Sequence, residues 1–236
     1  MASFTVRRVA VILVLGNLVA VALHLAEVRA GPLGPDGFPS GRLRINRDQG
    51  LAEVWGYLQT SVAVALLVVV FAKKQNALAL AWAAVLTLVV LDDSLGLHER
   101  LGSRAGRALQ LPSPGGLRPS DLGELLAWGL MGVVAVAALL LGWRASTHRQ
   151  RSATGPLFGS FIALVFFAIV VDLVHQAVSS DNRQIWGIEL NPAVRFAEAS
   201  GELFSMTAIA LAALALVLDM RPDHTRDAIR NIDIRR

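Results

Sequence analysis

Apolar residues do not alternate along this chain. They run together in six stretches, at approximately Val9–Val28, Leu51–Ala72, Ala77–Leu97, Leu122–Trp143, Leu157–Val178 and Ala199–Leu218. Each is close to the roughly 20 residues that a helix needs to cross the hydrocarbon layer of a bilayer. Runs such as Ser61–Ala72 and Val133–Leu141 are apolar on every side, as a lipid-facing helix must be. The pattern predicts an all-α integral membrane protein, a bundle of six transmembrane helices forming a single domain over residues 1–236. Arg7 and Arg8 ahead of an apolar core, with Arg29-Ala30 behind it, also fit a signal peptide. The length of that run, with His24 and Glu27 at its end, favours a retained span.

The connectors differ in kind. Gly31–Gly41, Pro112–Pro119 and Ser179–Pro192 are long, and the first two are dense in Gly and Pro, which predicts irregular loops. The other two are short and carry only positive charge, from Lys73 and Lys74 in one and Arg144, Arg149 and Arg151 in the other. Arg7, Arg8 and a basic tail at 219–236 fall on the same side. The positive-inside tendency therefore predicts a multi-pass protein of the cell membrane with both termini in the cytoplasm. Spans two and three have acids at their outer corners (Glu53, Asp92, Asp93), and spans four and five have Glu124 and Asp172, so an internal hairpin repeat is one reading of the pattern.

Composition narrows the functional classes. Charged residues make up 17% of the chain and the hydrophobic set 54%, too little solvating surface for a soluble domain. The net charge of +4 does not point to nucleic acid, because the arginines flank apolar runs instead of lining one face. The expected partners are the lipid bilayer and a lipid or other amphipathic small molecule. With no cysteine there is no disulfide or thiolate chemistry. The only lysines, Lys73 and Lys74, lie in a connector, which argues against a retinal protein. No phosphate-binding glycine loop or GxSxG elbow is present.

Candidate chemistry gathers at one side. Because successive helices alternate direction, His24, Glu27, Glu53, Asp92, Asp93, His98, Glu99, Glu124, Asp172, His175, Glu198 and Glu202 all fall toward the outer ends of their spans. At 1.5 Å per residue Asp92 lies about 22 Å along its helix, and Asp172 is equally deep, roughly 8 Å inside the hydrocarbon. A carboxylate at that depth costs a few kcal/mol unless protein, water or a cation compensates it.

Asp172 and His175 are three apart on one helical face. An acid-x-x-His pair facing carboxylates on partner helices is how helical bundles build metal sites. Asp172, His175, Asp92, His24 and Glu198 are therefore the expected ligands of a divalent metal (zinc, manganese or iron), with Glu53 or Glu202 as general base. That set predicts a metal-dependent, hydrolase-like enzyme. A proton- or cation-coupled transporter using Asp92 and Asp172, or an accessory subunit of a membrane complex, are the alternatives. Asp121 with Glu124 fits a capping box, with Asp121 as the cap, and Asn191-Pro192 fits an N-cap with its first helical residue.

Overall fold

The computed structural model describes residues 2–31, 41–47, 49–113, 118–179, 184–185 and 188–219. Six of its helices are long and apolar enough to cross a membrane. In chain order the helices are α1 (Ala2–Ala30), α2 (Leu51–Lys74), α3 (Ala77–Leu95), α4 (Leu97–Ala108), α5 (Pro119–Arg144), α6 (His148–Ala153), α7 (Gly155–Val165), α8 (Asp172–Ser179) and α9 (Leu190–Asp219). A π-helical turn, Phe166–Val171, joins α7 to α8 without interrupting the span. A two-residue antiparallel ladder pairs Gln184–Ile185 with Ile188–Glu189 ahead of α9. The tail beyond Asp219, with His224, and much of the first and third long connectors lie outside the described residues.

Local chemistry sets the helix ends. Gln75 takes a left-handed conformation and its N–H closes on the Phe71 carbonyl, while the Asn76 side chain accepts from Ala79 N at 3.2 Å and starts α3. A two-residue turn therefore suffices to fold α2 back on α3. Lys73 and Lys74 in the last turn of α2 complement its negative end. At the far end of α3, Gly96 has φ +57°. That left-handed residue stops the helix short of the expected Leu97.

The chain then forms α4, a helix that its mixture of charge and glycine hides from an apolar-run search. Its buried side is Gly102 and Gly106, four apart. A β-carbon at Gly102 would lie 2.5 Å from Glu124 N, and one at Gly106 would lie 2.5 Å from the Pro119 carbonyl oxygen. The two backbones touch, as small-residue spacings permit between membrane helices. Asp121 is not the cap of α5. It sits three residues inside the helix, where it accepts from Arg118 N at 2.8 Å and pairs with the Arg118 guanidinium. Helix α9 starts at Leu190, which places Asn191 and Pro192 in its first turn.

Helix α9 is the hub, in contact with α1, α2, α7, the π turn and α8, while α3 lies between α2 and α5. A ring of hydrogen bonds fixes α1, α2 and α9 together. Asn17 Nδ2 donates to Thr207 Oγ1 (2.8 Å), Thr207 Oγ1 to Gln59 Oε1 (2.6 Å), and Gln59 Nε2 back to Asn17 Oδ1 (3.2 Å). Trp55 Nε1 also donates to Asn17 Oδ1 at 3.0 Å.

Below that ring, toward the Lys73–Lys74 end, the interior is apolar, with Leu67, Leu78, Trp82, Leu86, Leu157, Ile209 and Ala213 at its centre. Four rings close this half, as Trp82 meets Phe158 and Phe161 edge-on and Trp143 meets Phe158.

The glycine seam yields a direct test. Gly102→Ala and Gly106→Ala should each force α4 off α5 and cost about 1–3 kcal/mol, a typical overpacking penalty. Thermal melting in detergent reads this as a lowered Tm for both. Gly132→Ala on the exposed side of α5, where a β-carbon meets nothing within 4 Å, should melt like the parent protein.

Candidate metal centre

The end of the bundle opposite the dry core is built from the start of α2, the end of α3, the starts of α4, α5 and α9, and the end of the fifth span. Between them lies a cleft of about 920 Å³. Seven carboxylates line it, those of Glu53, Asp93, Glu99, Glu124, Asp172, Glu198 and Glu202, facing four arginines. Such a concentration of like charge at low dielectric is stable only with compensating cations or shared protons.

One group within the cleft has the geometry of a ligand set. Asp172, His175 and Glu198 each offer one donor atom, and the three lie within 4.8 Å of one another. His175 Nδ1 is 3.3 Å from Glu198 Oε2 and 4.0 Å from Asp172 Oδ1. All three side chains are largely but not fully buried. Their placement follows from the fold. The i,i+3 spacing in α8 aims Asp172 and His175 the same way, and α9 runs alongside to present Glu198. The π turn ends at Val171, immediately before Asp172, and such turns recur at functional sites in helices. One imidazole and two carboxylates, with room left in the cleft, match the donors that zinc, manganese or iron accept at an open site.

Two of the expected ligands lie elsewhere. Asp92 is taken up by three donors: His98 N at 2.8 Å, His98 Nδ1 at 3.0 Å and Trp128 Nε1 at 3.3 Å. The His98 ring lies tilted against Trp128, with centroids 4.8 Å apart, and lines the cleft. With Nδ1 turned to Asp92, Nε2 is the ring nitrogen left for the cleft. The Gly96 turn makes this arrangement, because it brings His98 back over the last turn of α3, something a continuous helix through Leu97 would not do.

His24 lies at the end of α1, where its Nδ1 accepts from Ile45 N at 3.3 Å and its ring stacks on Phe196. Beside it Glu27 accepts from Gly41 N at 2.7 Å. These two side chains fasten the segment before α2 onto α1.

The expected general bases both line the cleft. Glu53 is engaged by Gln49 N and by the Tyr57 hydroxyl, each in a very short contact. Glu202 follows Glu198 by one turn of α9, so both point the same way.

His98 stands outside the spans. Burial alone lowers its pKa, but the bond to Asp92 and the charges of Asp92, Asp93 and Glu124 outweigh burial and raise it above the ordinary histidine value.

The chain belongs to a family described as a domain of unknown function (DUF8692), whose family model matches residues 9–220. No curated protein and no solved structure matches it.

The raised pKa of His98 can be measured. An imidazolium held by Asp92 stabilises the bundle fully below the ordinary histidine pKa, and that contribution is lost as pH rises through the raised value. In NMR of histidine-labelled protein, one ring should titrate above the ordinary value, and Asp92→Asn should bring that same ring down. A His98 signal at or below the ordinary value in the parent protein would contradict the assignment.

Proposed function

We propose that the protein is a membrane metalloenzyme of hydrolase type that acts on a lipid or other amphipathic substrate. The observation that carries this reading is the group Asp172, His175 and Glu198, with donor atoms within 4.8 Å of one another, in a cleft large enough for substrate. Three ligands from two rigid helices leave coordination positions for water and substrate, and a divalent ion there would lower the pKa of a bound water toward neutrality.

Glu202, one turn beyond Glu198 on the same face of α9, would serve as the general base toward such a water. His98, oriented by Asp92 and Trp128, offers Nε2 from another wall of the cleft as a proton donor. Glu53 is held by Gln49 and Tyr57 and serves to position the wall. Asp92 and His24 act as second-rank supports of His98 and of the segment before α2, and take no place as ligands.

A carrier needs a polar path through both halves of the membrane. The apolar half closed by Trp82, Trp143, Phe158 and Phe161 favours an enzyme with one mouth over a carrier with two.

Metal analysis tests the reading directly. Protein purified without chelators should hold about one zinc, manganese or iron per chain. His175→Ala and Glu198→Gln should each weaken binding by more than about 100-fold, since even outer partners of a metal ligand are worth 10–100-fold. Metal-free protein that cannot be loaded, with parent and variants melting alike, would sink the proposal.

Orientation follows from the basic connectors: the cleft faces outward and both termini are cytoplasmic. In this cysteine-free chain, single cysteines at the exposed positions Ser113 and Arg149 should label from outside and inside respectively. Labelling of both from one side would overturn the hairpin order, and a swap of sides would overturn the orientation.

A further inference from the structure

Helix α4 is not a span, and its outer surface has no use in the chemistry of the cleft. Its height in the bundle follows from its neighbours. Gly142 packs against Leu78 at the start of α3, and α5 has 26 residues against 19 in α3. The first turns of α5 therefore project about 9 Å past the end of α3. Helix α4 lies against those turns, with Gly102 at Glu124 and Gly106 at Pro119. A head-group layer is roughly 5–8 Å thick on each side of the hydrocarbon, so α4 stands in that layer.

The faces of α4 differ. At 3.6 residues per turn, Arg104 and Arg107 point away from the glycine seam, about 60° from each other. Leu97, Leu101 and Ala108 form an apolar strip next to Arg104. Leu101 and Ala108 are exposed, and so are both arginines. Neither arginine forms an ion pair among the described residues. Arg107 also borders a notch of about 540 Å³ between α4 and the start of α5, together with Ser103, Gln110 and Ser120. None of the described residues lining that notch is an acid, which sets it apart from the cleft. Arg100, one turn earlier, borders the cleft instead.

Two cations without an ion-pair partner, beside an apolar strip at head-group height, complement an anionic phosphate carried above acyl chains. We propose that α4 and the start of α5 bind an anionic phospholipid, its phosphate on Arg104 and Arg107 and its upper acyl chain along Leu101. In the orientation given above, this lipid belongs to the outer leaflet. Arginines on that side run against the positive-inside tendency, and a lipid phosphate gives them a use. The same helix presents His98 and Glu99 to the cleft, so the lipid braces one wall of the candidate centre from outside. The proposal goes beyond the enzyme reading and needs no bound metal.

The experiment uses full-length protein in phosphatidylcholine vesicles, with Leu101→Cys as the only cysteine, labelled with bimane. Quenching is measured with phosphatidylglycerol carrying a nitroxide near its carbonyl groups, and separately with phosphatidylcholine carrying the same nitroxide. A second probe at Leu58 of α2 reports ordinary surrounding lipid, since Leu58 is exposed and residues 51–65 hold no Lys or Arg. Phosphatidylglycerol should be preferred by more than about tenfold at Leu101 and by less than about twofold at Leu58. Arg104→Gln and Arg107→Gln should each lower the preference at Leu101 by about fivefold, the usual worth of one basic residue at a lipid surface. Arg104→Lys with Arg107→Lys keeps both charges and should keep most of the preference.

Equal quenching by the two lipids at Leu101 would overturn the proposal, as would a preference that survives the loss of both arginines. A preference of the same size at Leu58 would mean general attraction to a basic chain, and overturns it too. A Leu101 probe quenched by neither lipid, with cross-links joining two copies at α4, would give the surface to a second copy instead. Protein that cannot be loaded with metal yet shows the preference keeps the lipid site and discards the metalloenzyme, while metal-loaded protein without the preference does the reverse.

Discussion

In a hydrocarbon layer a polar side chain finds its partner inside the protein or not at all, and the ring of Asn17, Gln59 and Thr207 meets that demand at the middle of the bundle. Each member donates one bond and accepts another, so three helices far apart in sequence are held in one register. Single interhelical hydrogen bonds in membranes average only about 0.6 kcal/mol. The ring's importance is in specificity. A rotated α1 or α9 would leave amide and hydroxyl groups buried without partners, and that is costly. Since α9 also carries Glu198 and Glu202, the register fixed by Thr207 is the register that sets Glu198 beside α8.

A second consequence of the same constraint is the division of the bundle into two ends. Acids, histidines and arginines collect at the cleft, whereas the centre of the bundle below the ring is apolar, and buried polar side chains such as Asn76, Ser146 and Thr154 lie at the far helix ends. The division also explains why Asp92, at the same depth as Asp172, behaves differently. Asp92 has three donors within its own neighbourhood and is complete. Asp172 faces a histidine and another carboxylate, an arrangement that gains most from a cation.

The spans were legible because a helix in lipid must be apolar all round, and about 20 such residues in a row fit a bilayer far better than water. Asp172 with His175 was legible for a similar reason, as their spacing fixes a shared face whatever the neighbours do. What the sequence concealed depended on chain reversals and on contacts between distant segments. The pairing of His98 with Asp92 requires the left-handed turn at Gly96, and a lone glycine near the end of an apolar run does not announce one. Helix α4 was hidden because its buried side is glycine, which carries no hydropathy signal. Its spacing, Gly102 to Gly106, was the clue on offer. The π turn left no mark in a stretch as uniformly apolar as Phe166–Val171. His24 and Glu27 resembled site residues in their position and chemistry, and only the partners Ile45 and Gly41 reveal that they serve to fasten a loop.

The dry half of the bundle has an electrical meaning. A voltage across a membrane drops where the medium is least polarisable, so in this protein most of the field falls across the layer sealed by Trp82, Trp143, Phe158 and Phe161. The carboxylates at the other end lie outside that layer and would feel little of such a potential. The seven carboxylates of the cleft all lie on one side of that layer.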